Sequence, residues 1–211
     1  MFTKSIQLFV TLFFVSILLG QSQIKKDNLK WGVSYGVGSQ SKFPFNSVDY
    51  THEVTFYKAL INYTLKHKNK WSYEISIEPS FNVAKHQLKN KWFIKPEDSD
   101  NYLELRELYT KERTLKEYVL NLGFITRYSF FKNSSLYAMG SVGPMIGNIK
   151  TERLAKGFAF SDVLGFGASC VIEKVQLDFR YSLRHTSNLQ LKTPNNGHNT
   201  TNIEFAILFS L

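Results

Sequence analysis

The chain is poor in cysteine: Cys170 is the single thiol in 211 residues, so no intramolecular disulfide can brace it. Beyond its first residues it lacks any apolar run near the roughly 20 residues of a membrane-spanning helix, which excludes a helical membrane bundle. Low-complexity segments, internal repeats and a dividing linker are also missing, so the bulk of the chain reads as one domain. Acidic residues are scarce, 17 against 26 Lys and Arg, for a formal charge of +9. A surplus of that sign points to an anionic polymer or surface. No basic stripe interleaves with stacking aromatics in a nucleic-acid motif, so nucleic acid is not the expected partner.

What the chain does have begins with MFTKSIQLFVTLFFVSILLGQSQ, where Lys4 precedes an apolar run from Ile6 to Leu19 and then Gly20 and Ser22. That order is a secretory signal, expected over residues 1–22, with the mature domain over 23–211. The run is short for a membrane anchor, and the lack of a cysteine at the cleavage region excludes a lipoprotein anchor. Loss of the leader, with Lys4 as its only charge, leaves +8.

The mature region alternates strictly between apolar and polar residues. In WSYEISIEPSFN, Trp71, Tyr73, Ile75, Ile77, Pro79 and Phe81 share one face and Ser72, Glu74, Ser76, Glu78, Ser80 and Asn82 the other. A two-residue period is that of a strand with one greasy and one wet side. The same period recurs from LKWGVSYGV to TNIEFAILFSL and predicts about eight strands. Connections alternate too. HKNK, KNSS and Glu173–Lys174 are tight, whereas 40–51, 84–115, 147–160 and 186–200 are long. Short turns on one rim and long loops on the other predict an all-β, eight-stranded antiparallel transmembrane β-barrel of the outer membrane. Closure removes unpaired strand edges, which lipid cannot satisfy. Trp31, Trp71, Tyr118, Tyr128 and Tyr181 suit interfacial girdles, and Glu74, Glu78 and Arg127 a polar lumen. A soluble lipocalin-like barrel with its apolar face inward is the alternative.

Parity along VQLDFRYSLRHTS sets His185 and Ser187 on the face of Leu177, Phe179 and Leu183, and the last strand sets Asn199 in step with Ile203 and Phe205. In a membrane barrel that face meets lipid. Because this strand leaves the Glu173–Lys174 turn, its far end lies at the outer rim. A serine needs a base, a histidine supplies one, and a third group must orient the imidazole.

The stretches HTSN at 185–188 and PNNGHN at 194–199 resemble the lipid A 3-O-deacylase (PagL-like) family of outer-membrane barrels. The resemblance implies a cofactor-free and metal-free ester hydrolase acting on lipid A of lipopolysaccharide. It implies His185 as base, Ser187 as nucleophile, Asn188 as a contributor to the oxyanion site and Asn199 in the place of the catalytic acid. Two positions depart from the family pattern: it has glutamate where Asn199 stands and glycine where Gln190 stands. An asparagine can orient the ring without lending it a full charge, which implies weakened turnover, and a non-catalytic lipid-binding or structural barrel is the competing reading.

Other candidates carry less. Glu97, Asp98 and Asp100 lack a glycine-centred calcium loop and read as a solvated acidic segment. His52, His67, His86 and His198 show no metal-site spacing, and His198 reads as a loop residue. Gly140, Gly143, Gly165 and Gly167 fit close strand packing. Lys85, Lys89, Lys91, Lys95, Arg106, Lys111, Arg113 and Lys116 are expected in one long outer loop, either to meet lipopolysaccharide phosphates or simply as a solvated, solubilising surface.

Overall fold

A strand with one apolar edge needs a neighbour of the same pattern on each side, and eight such strands satisfy one another only by closing a ring. The computed structural model describes residues 28–211; the leader expected over 1–22 lies outside the described residues. The strands are β1 Leu29–Ser39, β2 Tyr50–Lys68, β3 Trp71–Leu88, β4 Arg113–Phe131, β5 Ser134–Gly147, β6 Gly157–Ile172, β7 Val175–Ser187 and β8 His198–Ser210. Every neighbour is antiparallel, and β1 pairs with β8 to close the barrel.

The apolar edges face outward. Val33, Tyr57, Leu122, Leu164, Phe166 and Phe205 are exposed, while Glu74, Glu78, Asn82, Glu117, Arg127, Arg180 and Glu204 are buried inside. An apolar wall around a charged interior is the inverse of a lipocalin, so the soluble alternative falls. From Trp71 to Val83 the outward side of β3 spans about 28 Å of depth at a strand tilt near 45°, enough for a bilayer core. Aromatic pairs mark its borders: Trp31 with Phe209 at 5.3 Å and Trp71 with Tyr128 at 4.9 Å near one end, and Phe81 with Tyr118 at 5.2 Å nearer the other, whereas Tyr181, paired with Phe166, stands at mid-strand.

Buried charges persist only when paired, and the lumen is filled by stacked layers of pairs. Arg127 meets Glu74 at 2.8 Å; further along the axis Lys58 meets Glu204 at 2.8 Å and Glu78 at 3.2 Å, and Arg180 meets Glu78 at 3.1 Å. Above them Arg184 meets Glu117 at 2.8 Å. These pairs pin strands across the barrel. A Cβ at Gly143, Gly165 or Gly167 would come within 2.8 Å of a neighbour, as close packing requires, whereas at Gly140 the nearest atom stands 3.9 Å away, so packing does not explain Gly140.

The turns at 69–70, 132–133 and 173–174 are tight, and the long loops, 40–49, 89–112, 148–156 and 188–197, share the opposite rim. These loops are shorter than expected because the sheet continues past the apolar band; β2 and β4 each run for 19 residues. The loop between β3 and β4 also carries a helix that periodicity did not reveal, α1 Tyr102–Thr110, packed by Tyr109 against Leu88 and Ile94. Its basic residues are largely tied down rather than free. Arg106 donates to the Ile94 carbonyl and lies over Trp92, Arg113 donates to the Lys150 carbonyl, and Lys85 and Lys111 pair with Glu112 and Glu107. Lys85, Arg113 and Lys116 belong to strands, not to the loop.

Candidate active site at the long-loop rim

The upper end of β7 keeps its alternation to the last residue. Arg184 and Thr186 are buried, His185 is exposed and Ser187 half-exposed on the apolar side of the wall. His185 and Asn199 are register partners across β7 and β8, and the Nδ1–H of His185 donates to Asn199 Oδ1 at 2.7 Å. That bond assigns the proton to Nδ1 and leaves Nε2 with a free lone pair, the state of a general base. Ser187 stands one same-side step further out, roughly 6.5–7 Å along the strand. Among the described residues its hydroxyl makes no hydrogen bond to the ring.

The loop that follows is built to hold this pair. Gly197 sits in the left-handed region at φ +69°, and a Cβ there would lie 2.3 Å from the Thr186 carbonyl oxygen and 3.1 Å from His185 Cε1. A side chain would therefore push the ring. The 148–156 loop straps it from one side: Gly197 N–H donates to the Arg153 carbonyl at 3.0 Å, Arg153 Nε donates back to the Gly197 carbonyl at 2.8 Å, and Ala155 N–H donates to Pro194.

Asn188 takes a different part from the one expected. It is fully buried, and its side-chain amide donates to the carbonyls of Lys192 at 2.8 Å and Pro194 at 3.4 Å, while its backbone N–H donates to Asn195 Oδ1 at 2.6 Å. Both amide hydrogens are thus spent on shaping the loop, not on an oxyanion. Leu189 and Gln190 follow with positive φ, 51° and 61°. Gln190 thus holds the left-handed conformation that the family glycine would adopt without strain. His198, read from the sequence as a loop residue, is instead the first residue of β8 and faces inward, 2% exposed.

A carboxylate that motif reading passed over stands beside the pair. Asp162 on β6 is the register partner of His185, exposed on the same outer face. The parity of Leu164 and Phe166 already put it there. Below His185 a groove of about 660 Å³ runs over the outer wall, lined by Leu122, Phe124, Val142, Leu164, Leu183 and Phe45 and reaching Asp162 and His185. Phe45 arrives from the 40–49 loop, which folds back over the wall: its Phe43 carbonyl accepts from Tyr181 Oη at 3.0 Å and from Thr201 Oγ1 at 2.9 Å.

An apolar-walled, charge-filled barrel with a histidine directed at lipid is an outer-membrane barrel with a rim site. The family profile described as lipid A 3-O-deacylase (PagL) matches residues 29–207, and the chain belongs to that family. It resides in the bacterial outer membrane. No curated protein sequence matches it. Among solved structures it is similar to that of the outer membrane enzyme PagL, at 11% identity over 83% of this chain and 97% of that one, with a TM-score of 0.49. The Neisserial surface protein A gives 10%, 87% and 97% with a TM-score of 0.48, and Ail of Yersinia pestis 16%, 84% and 99% with 0.34.

Proposed function

We propose that this protein hydrolyses an ester-linked acyl chain of lipid A at the outer rim, with Ser187 as nucleophile and His185 as base. The observation that carries this reading is the His185–Asn199 hydrogen bond at the head of an apolar groove on the lipid face. In the reaction, Ser187 Oγ attacks the acyl carbonyl carbon while His185 Nε2 takes the hydroxyl proton. The tetrahedral oxyanion collapses, the sugar oxygen leaves with that proton, and water then releases the fatty acid from the serine ester. Asn199 holds the ring, and Asp162, one strand over, supplies the negative charge that an amide cannot lend to the imidazolium. With the Asn188 side chain committed to its loop, oxyanion stabilisation falls to the backbone N–H groups of the Leu189–Gln190 turn. The groove takes the acyl chain in the plane of the outer leaflet, and the exposed Leu189 and Leu191 seat the loop at the same level.

Mass spectrometry of lipid A from cells expressing the wild-type chain or Ser187→Ala tests this. Loss of one acyl chain is expected with the first and not with the second; identical lipid A in both discards the hydrolase. A lipid-binding barrel without turnover is the second reading, favoured by the unbonded Ser187 hydroxyl and by Asn199, and binding of defined lipid A without fatty-acid release would establish it.

A further inference from the structure

Three histidines that lie far apart in the sequence meet inside the barrel, just beneath the rim that carries His185. His52 on β2 and His86 on β3 are register partners, and His198 opens β8; all are at most 2% exposed. The His52 and His198 rings stack at 4.4 Å, and the His86 ring stands 4.9 Å from that of His198. One ring nitrogen from each lies within 4.8 Å of the others.

The hydrogen bonds around the cluster say where its lone pairs are. A neutral imidazole has one N–H and one acceptor nitrogen. His86 Nε2 faces both oxygens of Glu152, at 2.8 and 3.0 Å, so that nitrogen carries the hydrogen and Nδ1 presents a lone pair inward. His198 Nε2 lies 3.2 Å from Thr151 Oγ1, and its buried Nδ1 has no partner. A buried nitrogen without a partner calls for a ligand. His52 Nδ1 and His86 Nδ1 are 3.2 Å apart. Two nitrogens bound to one tetrahedral ion at about 2.0–2.1 Å stand roughly 3.3–3.4 Å apart, so the pair is already spaced for a shared metal.

We propose that His52, His86 and His198 bind one divalent transition-metal ion, zinc foremost, as a clamp inside the outer rim. Three imidazoles suit zinc and its late first-row neighbours and disfavour calcium or magnesium, which take oxygen ligands. Glu152 behind His86 and Thr151 behind His198 orient the rings in the manner of carboxylates and hydroxyls that support metal-bound imidazoles. The fourth position is left to a water molecule. The ion ties β2, β3 and β8 to the 148–156 loop, and through His198 it fixes the residue next to Asn199. It lies on the inner side of the wall from His185, so it steadies the site and takes no part in bond cleavage.

The test is made on the full chain folded in detergent, stripped with EDTA and titrated with zinc chloride. One zinc per barrel is expected after gel filtration, and cobalt in its place should give the intense visible absorption of a tetrahedral nitrogen site. His86→Ala and His198→Gln should each weaken binding at least about 100-fold, and Glu152→Gln about 10–100-fold. His67→Ala, exposed at the opposite rim, should change nothing. Heat-modifiable migration on gels shows that each variant has folded. Less than one zinc per wild-type barrel, or full binding retained when His52, His86 and His198 are all replaced, overturns the proposal. Both readouts are independent of lipid A hydrolysis.

Discussion

The last four residues of β7 live under two sets of rules. On the inner side Arg184 and Thr186 are buried and bonded, Arg184 to Glu117 at 2.8 Å and Thr186 to the His198 carbonyl at 3.3 Å. On the outer side His185 has one side-chain hydrogen bond, to Asn199, and Ser187 has none to the ring. The inner residues are placed by the cost of leaving a charge unpaired in the lumen, and the outer ones are left with spare bonding capacity where lipid meets the rim. On the proposed function, adjacent side chains of one strand thus divide folding from chemistry.

The sharpest break of that division is His185→Ala, expected to lower deacylation about 10³-fold or more while leaving the folded barrel intact, as read by fatty-acid release and heat-modifiable migration. Arg184→Met does the reverse. It strands Glu117 in the lumen and should cost about 3–5 kcal/mol of stability, seen as a lower urea midpoint in lipid vesicles, with the activity of the surviving folded fraction little changed. Gly197→Ala crosses the two sets, since its methyl meets both the Thr186 carbonyl and the His185 ring; a fall in both stability and turnover is expected, and loss of only one would separate loop from site. Asn199→Glu should raise turnover about tenfold by adding charge beside the imidazole, unless Asp162 already supplies it, in which case the gain appears only in Asp162→Asn. The smallest effect belongs to Gln190→Gly, which relieves one left-handed residue and should stabilise by about 1 kcal/mol, measured by the same unfolding titration.

Parity carried the sequence reading a long way. The alternation of Leu177, Phe179 and Leu183 was enough to set His185 and Ser187 outward, and that of Ile203 and Phe205 to set Asn199 beside them, because a strand allows only two sides. What parity could not supply was partnership across the ring. Glu78 and Arg180 are separated by 102 residues, and His52, His86 and His198 come from three strands that only closure brings together. Helix α1 was hidden for another reason: Tyr102, Leu105 and Tyr109 make an inward side at helical spacing, but over only nine residues, and the exposed Leu103 and Leu108 blur it. Asn188 shows the limit of motif reading. Its type matched the family, but its inward side of the strand end gave its amide to loop carbonyls.

The 40–49 loop, latched over the wall by Tyr181 and Thr201, interrupts the annulus of lipid over β7 and β8 and brings Phe45 to the groove on the β4–β6 sector. On the proposed function, the lipid bound for His185 drifts in sideways along the leaflet, since the groove lies on the lipid face. Supply then follows the surface density of the lipid and the fluidity of the sheet it moves in, and detergent dilution would starve the site even where the total amount of lipid is unchanged.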